Sequence, residues 1–215
     1  MVFVSYNIVE LFEEGRAIPA LLQYAGGINM SFETLPAFPD PEKISIKDVD
    51  GDIRVPYERV KCYDDKEFEL FIREWVVSLK NRYQVRGFGG AGDKGRDVVA
   101  KDESGRYFYY QCKHYDHPLR VSDMLPEFGK LVYYTFVQEI PVPNEYYILA
   151  PKDIGAQLND LIDKPSKINE VVINKWDTNC RRRISNTPVD LSPDLKLYIK
   201  DFDFSIIKTK TMLEV

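Results

Sequence analysis

Residues 87–115 read GFGGAGDKGRDVVAKDESGRYFYYQCKHY. A glycine-rich run leads to Asp97, at the head of the apolar stretch Val98-Val99-Ala100. A second apolar stretch ends in Gln111-Cys112-Lys113. DVVAK and RYFYYQCK are rich in β-branched and aromatic residues and flank Asp102-Glu103-Ser104-Gly105, a turn by composition, which predicts two paired strands. Alternate residues of a strand share a face, so Gln111 and Lys113 point one way and Cys112 the other. If Asp97 shares the face of Gln111, an acid, an amide and a lysine meet at one sheet end. These are parts for metal-assisted cleavage of a phosphodiester. That reaction needs an activated water and a cation at the phosphate and the leaving oxygen, and Mg²⁺ can supply both. Mg²⁺ takes oxygen ligands and keeps several waters, so one or two carboxylates suffice. Asp97 is the main candidate ligand, with the Gln111 amide oxygen and the Cys112 backbone carbonyl beside it. Mn²⁺ is the expected substitute. Lys113 can hold the attacking water and the phosphate, or act as the base if metal and burial depress its pKa. The glycine run opens strands instead of a helix, and no Gly-Lys-Ser/Thr follows it, so it is not a nucleotide-phosphate loop.

The neighbouring segments must position these groups. DDKEFELFIREWVVSLKN places Phe68, Phe71, Ile72, Trp75, Val76 and Leu79 on one helical stripe. Asp64 or Asp65 can cap that helix, and Glu67 and Glu69 lie near the borders of its buried face. YQVRGF reads as a strand, and Gly87, Gly89, Gly90 and Gly92 form the approach to Asp97. VSDMLPEFGKLVYYTFVQ is helical in spacing, with Leu125, Phe128, Leu131, Val132, Thr135 and Phe136 on one face. Pro126 suits the first turn, which predicts a start between Ser122 and Leu125. EYYILA is a strand, DIGAQLNDLID a short helix, KINEVVINKWDTNCRRRI a further helix, and LKLYIKDFDFSIIKTKTM strand or extended. Toward the start, residues 6–24 suggest broken helix, 31–43 a proline-rich loop, and 44–57 a hairpin turning at Asp50-Gly51. DVDGD within it lacks the glycine position of a calcium loop. The fold class is therefore α/β, a mixed β-sheet flanked by helices.

Composition narrows the class. The chain has 215 residues, 44% hydrophobic and 13% aromatic, enough for a buried core. Its net charge of −5 argues against a simple nucleic-acid coat, less so against a nuclease that carries metal-binding acids. Three cysteines, Cys62, Cys112 and Cys180, make neither a disulfide framework nor a zinc knuckle. No apolar run suits a membrane span, and the first residues lack signal-peptide features, so a cytoplasmic protein is expected.

Together these elements resemble the PD-(D/E)XK nuclease superfamily, and most closely its Mrr-like restriction endonuclease branch. The resemblance rests on Phe68-Glu69 on the leading helix, GGAGDKGRD ending at Asp97, and Gln111-Cys112-Lys113 followed by His114-Tyr115. It covers about residues 62–163 and implies a restriction-endonuclease-like fold. It also implies Asp97, Gln111 and Lys113 as the active-site trio and Glu69 as a helical support. Asp93 is the competing acid; Asp97 is preferred because it opens the apolar strand. The expected division is an N-terminal extension over 1–60, a nuclease core over 61–165 and a C-terminal extension packed on the core over 166–215. Such extensions suggest, by analogy alone, an effector of bacterial restriction or anti-phage defence with an ATPase or sensor partner.

DNA contacts are expected from Lys94 and Arg96, which flank the acid, from His114, and from Arg181-Arg182-Arg183. Each has a plainer reading: a solvated loop, a structural contact, or a solvated helix end. His114 and His117 read as contacts instead of a metal pair. Duplex cleavage needs two scissions, so a homodimer or higher assembly is expected. The reading is a Mg²⁺-dependent DNA endonuclease. The alternatives are a non-catalytic nucleic-acid or partner-binding module of the same fold, and a structure-selective junction resolvase.

Overall fold

The structure is a computed structural model that describes residues 59–82, 84–88 and 93–215. The helices, loop and hairpin expected within residues 6–57, and Gly89, Gly90 and Gly92, lie outside the described residues.

Helix α1 spans Asp65–Ser78. Asp64 caps it and closes a reciprocal box with Glu67: the Glu67 N–H donates to the Asp64 carboxylate and the Asp64 N–H to Glu67 Oε2, both at 2.8 Å. Phe68, Ile72 and Val76 recur every fourth residue and form its buried stripe. Strands β1 (Gln84–Gly87), β2 (Val98–Lys101) and β3 (Tyr107–Cys112) are antiparallel, with Gly87 opposite Val98 and Val98 opposite Tyr110. Asp102 organises the β2–β3 turn, accepting from Ser104 Oγ, the Arg106 N–H and Arg106 Nε. Gly105 supplies the positive φ, +84°, that the turn requires.

Helix α2 (Val121–Phe136) crosses over to β4 (Glu145–Leu149), which runs parallel to β3. The helix begins at Val121, one residue before the expected window, so Pro126 falls in its second turn. Pro126 lacks only the N–H that would bond the Ser122 carbonyl, and the turn before it is held by the Asp123 carboxylate on the Arg120 N–H. Helices α3 (Ala156–Ile162) and α4 (Pro165–Asn174) follow, and a π turn over Trp176–Cys180 ends the segment expected to be one helix.

The expectation of extended structure from Leu195 onward needs correction. Residues Pro193–Asp201 form α5, and only Ile207–Lys210 form a strand, β5, parallel to β4. Ser192 caps α5 through the Leu195 N–H, Pro193 stands in its first turn, and Leu195 and Ile199 are its buried pair. The alternating Leu-Lys-Leu-Tyr-Ile-Lys pattern suits a strand equally well. The Ser-Pro-Asp start decides for helix.

Among the described residues the sheet has five strands in the order β1-β2-β3-β4-β5. Helices cover both faces, giving an α/β fold of the restriction-endonuclease type. Val98, Ala100, Phe108, Tyr110 and Cys112 pack with Phe68, Ile72 and Val76 of α1. Val99, Tyr109, Tyr146 and Ile148 pack with α2 and the C-terminal helices. The tyrosine pairs are packing elements: Tyr110 stacks on Tyr147 at 5.0 Å and meets Trp75 edge-on at 6.0 Å. No helix among the described residues is long and apolar enough to cross a membrane.

The α1 cap gives a direct test of this construction. Asp64→Ala is expected to cost about 1 kcal/mol, read as a lower urea midpoint with unchanged slope.

Candidate active site

Asp97 precedes β2 by one residue, and its backbone is held on both sides. Its N–H donates to the Tyr110 carbonyl at 3.0 Å, and its carbonyl accepts from the Phe88 N–H at 2.7 Å. Two residues before Val99, it lies on the α2 side of the sheet. Its Oδ2 accepts from Gln111 Nε2 at 2.5 Å and from the Cys112 N–H at 2.6 Å. Asp97 therefore shares the face of Gln111, and both are buried, at 6% and 2% exposure. Burial pushes the Asp97 carboxyl up to about 7. The negative charges of Glu69 and Asp93 act in the same direction, while the Cys112 N–H and Lys113 oppose them.

Asp93 is turned to another use. Its Oδ1 accepts from the Gly95 N–H at 2.9 Å and its carbonyl from Arg96 Nε at 3.0 Å, closing the turn that delivers Asp97. Lys94 and Gly95 both have positive φ, 56° and 79°.

Gln111 is oriented by two neighbours. Its nitrogen faces Asp97, and its Oε1 lies 3.4 Å from the Tyr146 hydroxyl, which also donates to the Gly95 carbonyl at 3.0 Å. The amide must turn over before its oxygen can serve a cation beside Asp97. The Cys112 thiol faces α1 in the opposite core, and burial holds it well above its usual range. Its carbonyl has a 3.5 Å contact from Gln111 Nε2.

The Lys113 backbone continues the ladder, its N–H donating to the Leu149 carbonyl at 2.9 Å. Its ammonium donates to Glu127 Oε1 at 2.7 Å. Burial alone would pull the Lys113 pKa down, but the Glu127 carboxylate, with Asp97 further off, outweighs it, so the net shift is upward. A base role required a depressed pKa. Beside Glu127, and without a metal, the Lys113 pKa lies above its ordinary value.

Glu127 was not among the sequence candidates. It stands three residues after Met124 and four before Leu131, on the buried face of α2. A charged residue at an apolar position of a helical stripe is the signal that could have found it. Burial would raise its pKa, but Lys113 and Lys130 bring it below the ordinary value. Tyr146 was also missed, because nothing in EYYILA shows which tyrosine turns its hydroxyl to the site.

Glu69 is on α1, which covers the other face. It has no hydrogen bond to Asp97, Gln111 or Lys113 but couples to Asp97 and Lys113 through charge. Its carboxyl is raised, first by burial, then by Asp93 and Asp65. Lys94 is paired with Glu139 at 2.6 Å. Arg96 lies over the rings of Phe88 and Tyr109, at 5.1 and 5.2 Å from their centroids. The His114 ring sits 5.9 Å from Phe68, and its Nδ1 is 3.7 Å from Asp65. Arg181, on the turn after the π turn, pairs with Asp190 at 2.6 Å. None of Arg181, Arg182 and Arg183 bonds to the Asp97–Gln111–Lys113 group. Among the described residues, no three His, Cys, Asp or Glu side chains gather as a metal cluster.

A mixed sheet with helices on both faces, its central hairpin ending in a buried acid, an amide and a lysine, defines the restriction-endonuclease-like class of nucleases. Residues 60–134 match the family described as restriction endonuclease, in its Mrr-type catalytic form. That segment is therefore similar to the nuclease domains of the Mrr-like branch. No curated protein and no solved structure matches the chain.

The raised Asp97 pKa has a measurable consequence. The folded protein without metal retains a proton on Asp97 that the unfolded chain has lost between about pH 4 and 7. Stability therefore falls as pH rises through that window. Asp97→Asn removes the buried charge. It is expected to melt above wild type beyond pH 7 in EDTA, by roughly 2–4 kcal/mol, and the difference is expected to close as pH falls toward 4.

Proposed function

We propose that this protein is a metal-dependent endonuclease that cleaves double-stranded DNA, acting in the cytoplasm in a bacterial restriction or anti-phage role. The observation that carries the reading is the meeting of Asp97, Gln111 and Cys112 at the end of the β2–β3 hairpin, with Lys113 next in sequence. A buried acid pushed up to about 7 is a group that a nearby cation would return to its ionised form. The oxygen donors available suit a hard divalent ion that keeps much of its water. Asp97, the Gln111 amide oxygen once turned, and the Cys112 carbonyl would hold Mg²⁺, with Mn²⁺ as a substitute. When bound, the ion would supply Lewis-acid polarisation of the phosphate and a water of lowered pKa.

The chain's own groups do the rest. The Lys113 ammonium is a preset positive charge where negative charge grows on the phosphate. Tyr146 steadies Gln111. Glu69 adds negative potential from the other face. Lys94, Arg96, His114 and Arg181–Arg183 are the proposed backbone contacts, and Lys94 and Arg181 would exchange their present carboxylate partners for phosphate. Cutting both strands supports a dimer or higher assembly. The defence setting and an ATPase or sensor partner rest on the family resemblance alone, and three free cysteines accord with a reducing compartment.

The test is cleavage of supercoiled plasmid with Mg²⁺ and with EDTA, using wild type, Asp97→Ala and Lys113→Ala. Wild type is expected to cut with Mg²⁺ alone, and each variant to lose at least about 100-fold. Equal cutting by all three would sink the assignment. Salt-dependent DNA binding with no cleavage under any divalent ion would support the non-catalytic module.

A further inference from the structure

Glu127 is the least expected residue of α2. Met124, Leu125, Phe128, Leu131 and Val132 around it are buried apolar groups, and it is itself 5% exposed. A carboxylate there would be costly if alone. Its Oε1 accepts from Lys113 at 2.7 Å, and Lys130, nearly one turn along the helix, lies 3.1 Å from Oε2. The loop leading into Asp97 packs on the same group. Gly95 is buried with a positive φ, and a Cβ there would come within 3.2 Å of Glu127 Oε2 and 3.1 Å of Lys130 Cβ. Glu127 thus touches both parts of the site, the strand end with Lys113 and the loop that delivers Asp97.

Stability alone gives little reason for this arrangement. Apolar side chains of similar volume stabilise a core as well as a buried ion pair does. Lys113, at a strand end, could also extend its ammonium toward solvent. Lys130 donates to the same Oε1 at 3.3 Å, the Lys113 bond is the shorter at 2.7 Å, and Oε2 is buried beside Gly95 without a hydrogen-bond partner.

We propose that Glu127 is a positioning residue: its carboxylate fixes the Lys113 ammonium at the end of the hairpin and acts on cleavage through Lys113, without touching DNA. This rests on the nuclease reading. It predicts a loss in the rate of cutting without a loss of DNA affinity. Misplacing a catalytic group by about 1 Å costs about 100-fold, and that is the loss expected for Glu127→Gln in the full-length protein. Affinity for a duplex in EDTA should stay within about twofold, since the residue makes no backbone contact.

The decisive measurement is a cycle read in single turnover with enzyme in excess. In a Lys113→Ala background, Glu127→Gln is expected to cost nothing more, because the group it holds is gone. Glu127→Gln leaves two half-buried ammonium groups unbalanced and can unfold the domain, so Glu127→Gln/Lys130→Met is run beside it. That variant restores the charge balance and should melt near wild type yet cut as slowly as Glu127→Gln. Wild-type cutting by it would show that Glu127 only balances charge and would overturn the proposal. Losses that multiply in the Lys113→Ala background would overturn it too. If wild type leaves plasmid intact with Mg²⁺, the nuclease reading falls first. If wild type cuts, Lys113→Ala does not, and Glu127→Gln cuts normally, only the role of Glu127 is lost.

Discussion

A carboxylate is buried at the end of a sheet, and the neighbouring structure answers to that constraint. Asp97 Oδ2 takes the Cys112 N–H and Gln111 Nε2, so one oxygen joins the head of β2 to the tail of β3. The Asp97 backbone is held at the same time by Phe88 and Tyr110. These bonds offset part of the cost of desolvating the charge, and burial still dominates. The group is therefore held in place by neighbours that do not fully satisfy it, which is the condition in which a bound cation gains most.

The alternation of the hairpin divides the labour between layers. Tyr110 and Cys112 turn to α1 and lock that helix through Trp75 and Phe68. Tyr109, Gln111 and Lys113 turn to α2. The polar groups thus converge on the side where α2 carries a buried acid. Glu69, on α1, acts only through its field. A one-residue slip of β3 would exchange the two sets and bring Cys112 to the site.

Two opposed charge settings follow. The Asp97 acid is pushed toward its neutral form, whereas Lys113 is kept in its charged form by Glu127. The lysine is held toward its charged, donating form. The acid answers to what binds beside it. Lys130 and Gly95 belong to the same assembly, one because its charge lies 3.1 Å from the Glu127 carboxylate and the other because a side chain there would crowd it.

Much of this was legible in the residues. The stripe Phe68, Ile72, Val76, the cap at Asp64 and the two strands around Asp102–Gly105 are local patterns, and local patterns are visible in one dimension. The order of elements and the nearness of Asp97 to Gln111 were legible for the same reason, since hairpin partners are near in sequence. The helix over Pro193–Asp201 was misread because Leu-Lys-Leu-Tyr-Ile-Lys suits both periods, and only its cap and the core it meets decide between them. By itself the sequence determined a nuclease of the restriction-endonuclease type and the hairpin at its centre. Only the tertiary structure decided that Asp97 faces Gln111, that Asp93 serves the turn, and that Lys113 pairs with Glu127. Each of these depends on which atoms meet across the sheet and α2, and pairing between groups on different elements leaves no period in the sequence.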